Sequence, residues 1–321
     1  MQLGLFTPVF NGRSLEAMIE ALRRWPQITM LEIGTGGWAG GKHLELSALL
    51  GNAGRISAYR RQLAEAGLEI SALSCHGNAI HPDQATAERD DRLFRQTVEL
   101  AEQMEVPVVV TFSGCPGGSP ADQTPNWITA AWPPEYAQSL RWQWEERLIP
   151  YWSEAAAFAS AHGVRVALEA HPGFAVYNVE TLLRLRAAVG PSIGINLDPS
   201  HLWWQGMDIP TVIAALGDAI FHVHAKDVAL NPANIARNGV LDPKSFSSVA
   251  DRSWLFRSVG WGHAELEWKA IVSALRVAGY DSVLSIEHED ALASIDEGLG
   301  SAVGLLSRVL LREPPVQAWW T

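Results

Sequence analysis

Two kinds of segment alternate along the chain. Short runs of apolar residues are separated by longer segments in which apolar residues recur with the period of a helix. Runs of this length that are rich in Val, Ile and Leu and bounded by turn residues are typical of buried strands. The eight runs are Gln2–Val9, Met30–Thr35, Glu69–His76, Val106–Ser113, Arg165–Ala170, Ile193–Asp198, Ile220–Asp227 and Ser282–His288.

Each apolar run is followed by a segment with room for a helix. The predicted helices are Ser14–Trp25, Arg55–Ala66, Ala85–Met104, Gln138–His162, Val179–Val189, Ile209–Leu216, Glu265–Ala278 and Ala291–Leu311. Local signals agree, because Asn178 suits a helix N-cap, and Gly163 and Gly279 suit helix C-termini. The second unit has the weakest helix signal, since residues 36–50 have the character of a loop. Eight strand–helix units predict an α/β fold, a (β/α)8 TIM barrel, as a single domain over residues 1–321.

Two connections are long and would lie over one face of this barrel. Residues 114–135 follow the fourth strand and residues 228–263 follow the seventh. In such barrels the loops after the strands build the ligand site. The tail, residues 312–321, ends in Trp319-Trp320-Thr321, and it is compatible either with docking on a neighbouring subunit or with packing on its own barrel.

Composition narrows the class of protein. Hydrophobic residues make up 48% of the chain and charged residues 18%, which excludes a disordered protein. The net charge of −11 disfavours nucleic acid and anionic membranes as partners. No apolar run reaches membrane-spanning length, the start lacks a signal-peptide pattern, and two cysteines form no disulfide framework. We therefore expect a cytoplasmic protein.

Tryptophan is unusually frequent, with 14 residues, and many of them lie in predicted loops. Trp38 is the one that we assign to substrate binding. Flat aromatic faces suit the C–H faces of sugars, although large loops also need bulky side chains for their own packing.

Ionisable residues end four successive strands, the fifth to the eighth. They are Glu169, Asp198, His224 and Glu287. Side chains at the C-terminal ends of barrel strands converge on one pocket, where three carboxylates would repel one another. A divalent cation removes this repulsion, and three oxygens with one nitrogen suit Mn²⁺, Mg²⁺, Co²⁺ or Zn²⁺.

Further polar residues near these strand ends are candidates for substrate contacts. They are His76, His171, His201, Lys226 and Arg257. Arg257 precedes two glycines, Gly260 and Gly262, which would allow the backbone to approach a ligand closely. Asp227 is a candidate to orient a histidine from behind, and His222 either supports His224 or faces the next layer down.

These strand ends resemble those of the xylose isomerase-like TIM barrels, in particular the sugar isomerase and epimerase branch. The motifs are Glu169-Ala-His171-Pro, Asn196-Leu-Asp198-Pro-Ser-His201, His222-Val-His224-Ala-Lys226-Asp227 and Ser285-Ile-Glu287. The resemblance covers nearly the whole chain. It implies that Glu169, Asp198, His224 and Glu287 bind one metal, often Mn²⁺, and that His201 and Arg257 contact substrate.

The chain also departs from parts of this group. Ketose 3-epimerases carry a substrate-binding Glu at the position of Ala175 here, which argues against that set of contacts. The apurinic-site endonucleases of the group need extra zinc ligands for which we find no match. The tryptophan-rich loops look closer to barrel subunits that act on 3-oxo-glycosides, including enzymes that cleave C-glycosides.

The resulting hypothesis is a metal-dependent sugar isomerase or epimerase. Glu169 and Glu287 would act as catalytic bases on opposite faces of the substrate through an enediolate. The alternatives are a 3-oxo-glycoside lyase with the same metal site, in which His171 or His76 takes the proton, and a non-catalytic sugar-binding subunit. The expected partner is a small carbohydrate. We also expect a homo-oligomer, with a small partner subunit if the protein cleaves glycosides.

Overall fold

The computed structural model describes residues 1–320 and confirms the TIM barrel as a single domain. The described part of the chain contains ten strands, β1 Gln2–Phe6, β2 Ile28–Gly34, β3 Glu69–Ser74, β4 Val108–Phe112, β5 Arg165–Glu169, β6 Ile193–Leu197, β7 Ile220–Ala225, β8 Asp227–Leu230, β9 Trp254–Arg257 and β10 Val283–Ile286. Eight of them close a barrel in the order β1-β10-β7-β6-β5-β4-β3-β2, and the barrel pairs are parallel. All eight predicted runs are therefore barrel strands.

Helices follow the strands as the apolar period predicts. They are α1 Leu15–Leu22, α2 Leu46–Leu49, α3 Ala53–Glu65, α4 Gln84–Gln103, α5 Pro134–Trp142, α6 Ile149–Ala161, α7 Val179–Val189, α8 Pro199–Trp203, α9 Ile209–Leu216, α10 Pro232–Asn238, α11 Glu265–Val277 and α12 Ile295–Val309. The predicted helix 138–162 includes a π-helical stretch, Gln143–Leu148, between α5 and α6. Asn178 caps α7 through a capping box, as its position predicts.

Two segments that the sequence presents as loops contain regular structure. Within residues 228–263, β8 and β9 pair as an antiparallel hairpin with α10 between them. Within residues 36–50, a 3-10 turn at Gly37–Ala39 and the short helix α2 are present. Short elements of this kind rest on backbone hydrogen bonds, which apolar periodicity does not report.

The barrel interior changes from apolar to polar along the strands. A small apolar cluster lies earlier in the strands than the ionisable residues and consists of Ala72, Val108, Val110, Ala167 and Phe221. Gly194 leaves room for the Phe221 ring, because a Cβ at position 194 would lie 2.6 Å from that ring. The polar strand ends therefore rest on a packed floor and not on an open channel.

The two ends of the chain meet near the start of β1. The Met1 ammonium lies 2.6 Å from Asp281 and donates to the carbonyl of Leu311 at 2.9 Å. Beyond this point Trp319 and Trp320 are exposed, so these two rings do not pack on the barrel, and Thr321 lies outside the described residues. None of the helices within residues 1–320 has both the length and the apolarity needed to cross a membrane.

Candidate metal centre and adjoining cavities

Four side chains from four neighbouring strand ends meet at the top of the barrel. Glu169 ends β5, Asp198 follows β6, His224 lies in β7 and Glu287 follows β10. One donor atom from each lies within 4.8 Å of the others. Asp198 and His224 are fully buried, whereas Glu287 is partly accessible.

Three of these side chains each have a buried ligand atom that makes no hydrogen bond within residues 1–320, although the Lys226 ammonium lies within 3.3 Å of two of them. These atoms are Oδ2 of Asp198, Nδ1 of His224 and Oε2 of Glu287. Nδ1 of His224 lies 2.8 Å from that Glu287 oxygen, but the two atoms are not aligned as a hydrogen bond. Buried polar atoms are normally satisfied, and lone pairs that face one point match a divalent cation. The donor set therefore fits the metal that the resemblance implies.

Glu32 in β2 holds the other side of the His224 ring. Nε2 of His224 donates to Oε2 of Glu32 at 2.7 Å, and Ser74 and Ser285 donate to the same carboxylate at 2.5 and 3.0 Å. Burial opposes ionisation of Glu32, but the charges of His224 and His222 lower its pKa to about 2. Burial likewise disfavours charge on His224, and Glu32 with Glu287 raises its pKa well above the usual range.

This carboxylate is the site residue that sequence reasoning missed. The one available signal is a charged residue within the second apolar run, because glutamate is rarely buried without partners. Asp227, which the sequence suggests for such an orienting role, does hold a histidine, but this is His263, at 2.8 Å, and not His224. His222 lies one layer deeper, as one of the two options for it predicts, and its Nδ1 is 3.0 Å from the Asn196 side-chain oxygen.

Glu169 accepts hydrogen bonds on both of its oxygens. His201 Nε2 lies 3.1 Å from Oε1, and His76 Nε2 and Asn196 Nδ2 each lie 3.2 Å from Oε2. Burial alone would raise the pKa of Glu169, but the bonds from His201 and His76 hold it well below its usual range. The side chain is thus kept as a carboxylate although it is buried.

Lys226 bridges the carboxylates on the opposite side. Its Nζ lies 3.3 Å from Asp198, 3.1 Å from Glu287 and 3.0 Å from Glu289. Burial would lower the pKa of this lysine, and the charges of Glu287 and Glu289 raise it well above its usual range. Burial raises the pKa of Asp198 despite Lys226 and His201 beside it. Lys226 is therefore a fixed positive charge at the rim of the four-residue cluster.

A cavity of about 240 Å³ opens directly above this cluster. Its wall includes Trp38, His76, Phe112, His171, Lys226, Glu169 and Glu287. Trp38 is 64% exposed, and its ring lies 5.8 Å from that of Phe112. Burial holds the pKa of His171 well below its usual range, so this imidazole is neutral. Five of the six predicted substrate residues lie in this cavity or, for His201, in the one beside it.

Arg257 is the predicted substrate residue that the structure places elsewhere. Its Nε donates to both Asp290 oxygens at 3.1 Å, and it lines neither of the two cavities at the candidate site. The glycines after it contact a carboxylate of the same segment. The backbone N–H groups of Gly260 and Gly262 donate to Oδ2 of Asp227 at 2.9 and 3.1 Å. The two glycines therefore let the backbone approach the Asp227 carboxylate closely.

Residues 32–305 match the sequence model of the family described as xylose isomerase-like TIM barrel. The chain belongs to this family. It is 40% identical over 286 residues to the uncharacterized protein YfiH of Bacillus subtilis (strain 168), a match that covers 88% of this chain and 91% of the relative. It is also 28% identical over 139 residues to an inosose dehydratase of Geobacillus thermodenitrificans (strain NG80-2), covering 42% and 45% of the two chains.

Solved structures share the fold at lower identity. A D-tagatose 3-epimerase-like protein has a TM-score of 0.64 at 20% identity over 96% of this chain and 98% of its own. The IOLI protein with a bound zinc atom has a TM-score of 0.64 at 19% identity, covering 97% and 99%. A probable 3-DHS dehydratase from Bacillus anthracis has a TM-score of 0.64 at 18% identity, covering 96% and 99%.

Proposed function

We propose that this protein is a divalent metal-dependent sugar isomerase or epimerase that removes a proton next to a substrate carbonyl. One observation carries the proposal. Asp198 and His224 lie fully buried at the bottom of the four-residue cluster, whereas Glu169 and Glu287 also line the cavity above it. A general base must come within hydrogen-bond reach of the proton that it removes, and these two carboxylates are placed for that.

Glu169, Asp198, His224 and Glu287 would hold the cation, for which we propose Mn²⁺. When bound, the cation polarises the substrate carbonyl and so acidifies the neighbouring C–H group. The convergence of one donor atom from each of these four residues within 4.8 Å supports this assignment. Zinc is bound in the structure of the IOLI protein. The metal that we propose for this protein is argued instead from its own ligand residues.

Glu169 and Glu287 approach the cavity from different sides, because β6 and β7 separate β5 from β10 around the barrel. Glu169 is ionised and held by His76 and His201, so it can accept the proton. Glu287 on the other side can return a proton. Return to the opposite face of the same carbon is epimerisation, and return to the neighbouring carbon is isomerisation.

The remaining cavity residues would orient the substrate. Lys226 presents a fixed ammonium to substrate oxygens, and His76 and His171 present imidazole nitrogens. Trp38 offers an exposed aromatic face at the cavity mouth for the C–H face of a sugar. A small carbohydrate is the proposed substrate, and assembly into a homo-oligomer stays a prediction.

A lyase outcome is the second candidate. The same proton removal beside the carbonyl of a 3-oxo-glycoside would expel the group on the neighbouring carbon. A larger cavity of about 620 Å³ adjoins the site through the shared wall residues His171 and Glu289, and it offers space for a departing group. A small partner subunit is proposed only with this outcome.

Metal-dependent exchange of solvent deuterium into keto-sugars tests the shared first step. Protein loaded with Mn²⁺ should exchange a proton of at least one free ketose or 3-oxo-glucoside, followed by NMR. Glu169→Gln and Glu287→Gln should each abolish exchange with the fold intact by circular dichroism. Absence of exchange with every substrate would favour a non-catalytic sugar-binding subunit and would overturn the proposal.

Product analysis separates the two catalytic outcomes. A new sugar isomer supports the isomerase or epimerase, and a released aglycone supports the lyase. Glu69→Gln provides a matched control, because Glu69 is exposed at the opposite end of β3 from the candidate metal centre.

A further inference from the structure

The second cavity beside the candidate metal centre is built by the segment that follows β7. We call it the hairpin cavity, because Trp254, Leu255 and Phe256 of strand β9 form one wall. Phe246 and Arg252 belong to the same segment and extend that wall. The cavity measures about 620 Å³, compared with about 240 Å³ for the cavity directly above the four-residue cluster.

The hairpin cavity reaches the candidate centre through two side chains. His201 lines it and also contacts Glu169 at 3.1 Å and Asp198 at 3.3 Å. Phe256 meets the His201 ring edge to face, with centroids 5.2 Å apart, and the Lys226 ammonium lies 4.4 Å from the Phe256 centroid. A group in the hairpin cavity would therefore be next to a substrate held at the metal centre.

Three aromatic rings give this cavity its chemical character. Phe246 stacks on Phe256 with centroids 5.4 Å apart, and it meets Trp254 at 5.7 Å. Trp254 is fixed from behind, because it stacks on the buried Trp204 at 4.9 Å. Phe246 is nevertheless 50% exposed, which leaves part of its ring surface uncovered for a ligand.

The charged side chains of the wall already have polar partners, and Glu289, which also lines the cavity, lies 3.0 Å from Lys226. Asp242 binds Lys244 at 2.7 Å, and the backbone N–H of Ser253 donates to Asp242 at 2.6 Å. Arg252 donates to the carbonyls of Trp254 and Lys244, and its guanidinium covers the Phe246 ring at 4.0 Å. With these charges satisfied inside the wall, the cavity suits a neutral group better than a phosphate or carboxylate.

We infer that the hairpin cavity binds a neutral aromatic substituent of the substrate, so that the sugar at the metal centre is the keto-sugar glycone of an aryl glycoside. This inference rests on the proposed function, whose sugar occupies the smaller cavity. Phe246 is then a specificity-determining residue. Its ring contacts the aryl group and touches none of the four residues of the metal cluster.

Calorimetric titration of the Mn²⁺-loaded protein with 4-nitrophenyl β-D-glucoside and methyl β-D-glucoside tests the inference. The aryl glucoside should bind at least tenfold more tightly than the methyl glucoside. Phe246→Ala should reduce this preference to less than threefold, and Phe246→Tyr, which keeps the ring, should retain it. Leu241→Ala is the control, because Leu241 is exposed in the same segment and does not line the cavity.

Equal binding of the two glucosides, no binding of the aryl glucoside, or a full preference in Phe246→Ala would each overturn the inference. Folding of each variant is checked by thermal unfolding. Failure of the proposed function looks different, because deuterium exchange would then be absent with every substrate while the aryl preference and its loss in Phe246→Ala persist.

Discussion

Nε2 of His224 donates to the Glu32 carboxylate at 2.7 Å, while Nδ1 of the same ring faces the carboxylates of the candidate metal centre. This bond fixes both the tautomer and the orientation of the imidazole. Histidine ligands of metals commonly have such a carboxylate behind them. Glu32 thus links the far side of the barrel, β2, to the donors on β5, β7 and β10.

Glu32→Gln is expected to weaken Mn²⁺ binding by about 10- to 100-fold, because the amide no longer fixes the His224 ring as a carboxylate does. Isothermal titration calorimetry measures the change. The exposed Glu69→Gln variant controls for the loss of one negative charge. Unchanged affinity in Glu32→Gln would show that His224 is not held for a cation.

Binding of Mn²⁺ is expected to raise the thermal unfolding temperature by several degrees. A ligand present at a hundred times its Kd stabilises the native state by about 2.7 kcal/mol. Asp198→Asn should remove most of this rise, because Asp198 contributes a fully buried carboxylate to the cluster. Differential scanning fluorimetry with and without EDTA gives both values. An equal rise in the variant would contradict the assignment of Asp198.

Asp227→Asn is expected to loosen the segment after β9 without changing the barrel. The carboxylate accepts from the backbone of Val228, Gly260, Gly262 and His263, and an amide must turn its NH₂ group toward some of these donors. Each buried donor left unpaired costs about 1–3 kcal/mol. Hydrogen exchange of amides 258–263 should accelerate, whereas the exposed Asp251→Asn variant should leave it unchanged.

Asp242→Asn is expected to destabilise the protein most at neutral pH. Burial opposes ionisation of Asp242, but Lys244 and the backbone of Ser253 lower its pKa to about 2. The pKa of Asp242 in the folded protein is thus lower than in the unfolded chain. The ionised carboxylate therefore stabilises the folded state fully above about pH 4, and this stabilisation declines as pH falls toward 2. Urea unfolding at several pH values should show the gap between variant and wild type closing on acidification. A gap that is constant with pH would exclude this ionisation as its source.

Gly194→Ala is expected to lower the free energy of unfolding by about 1–3 kcal/mol, as is usual for overpacking. A Cβ there would meet the backbone oxygen of Ala219 and the Phe221 ring. Gly12→Ala is the matched control, because nothing lies within 4 Å of a Cβ at that position. Urea unfolding of both variants measures the difference, and equal stabilities would contradict the close packing of β6 on β7.

Local patterns sufficed to predict the eight barrel strands, most helix positions and the convergence of Glu169, Asp198, His224 and Glu287. Apolar runs and helical period are properties of neighbouring residues, and a closed barrel brings the ends of its strands to one face. Glu32 was beyond such reasoning, because its partner His224 is 192 residues away and the two meet only across the closed barrel.

Tertiary structure likewise decided the roles of Arg257 and Asp227. The sequence suggests a substrate contact for Arg257 and a role behind a histidine for Asp227. In the structure Arg257 donates to Asp290, and the Asp227 carboxylate accepts hydrogen bonds from the backbone, including that of Gly260. It also decided that Phe246, Trp254 and Phe256 share one cavity. The sequence alone determined which side chains stand at the strand ends. Which charge pairs with which depended on how residues 228–263 fold over the barrel, because a charged group binds the nearest partner in space and not in sequence.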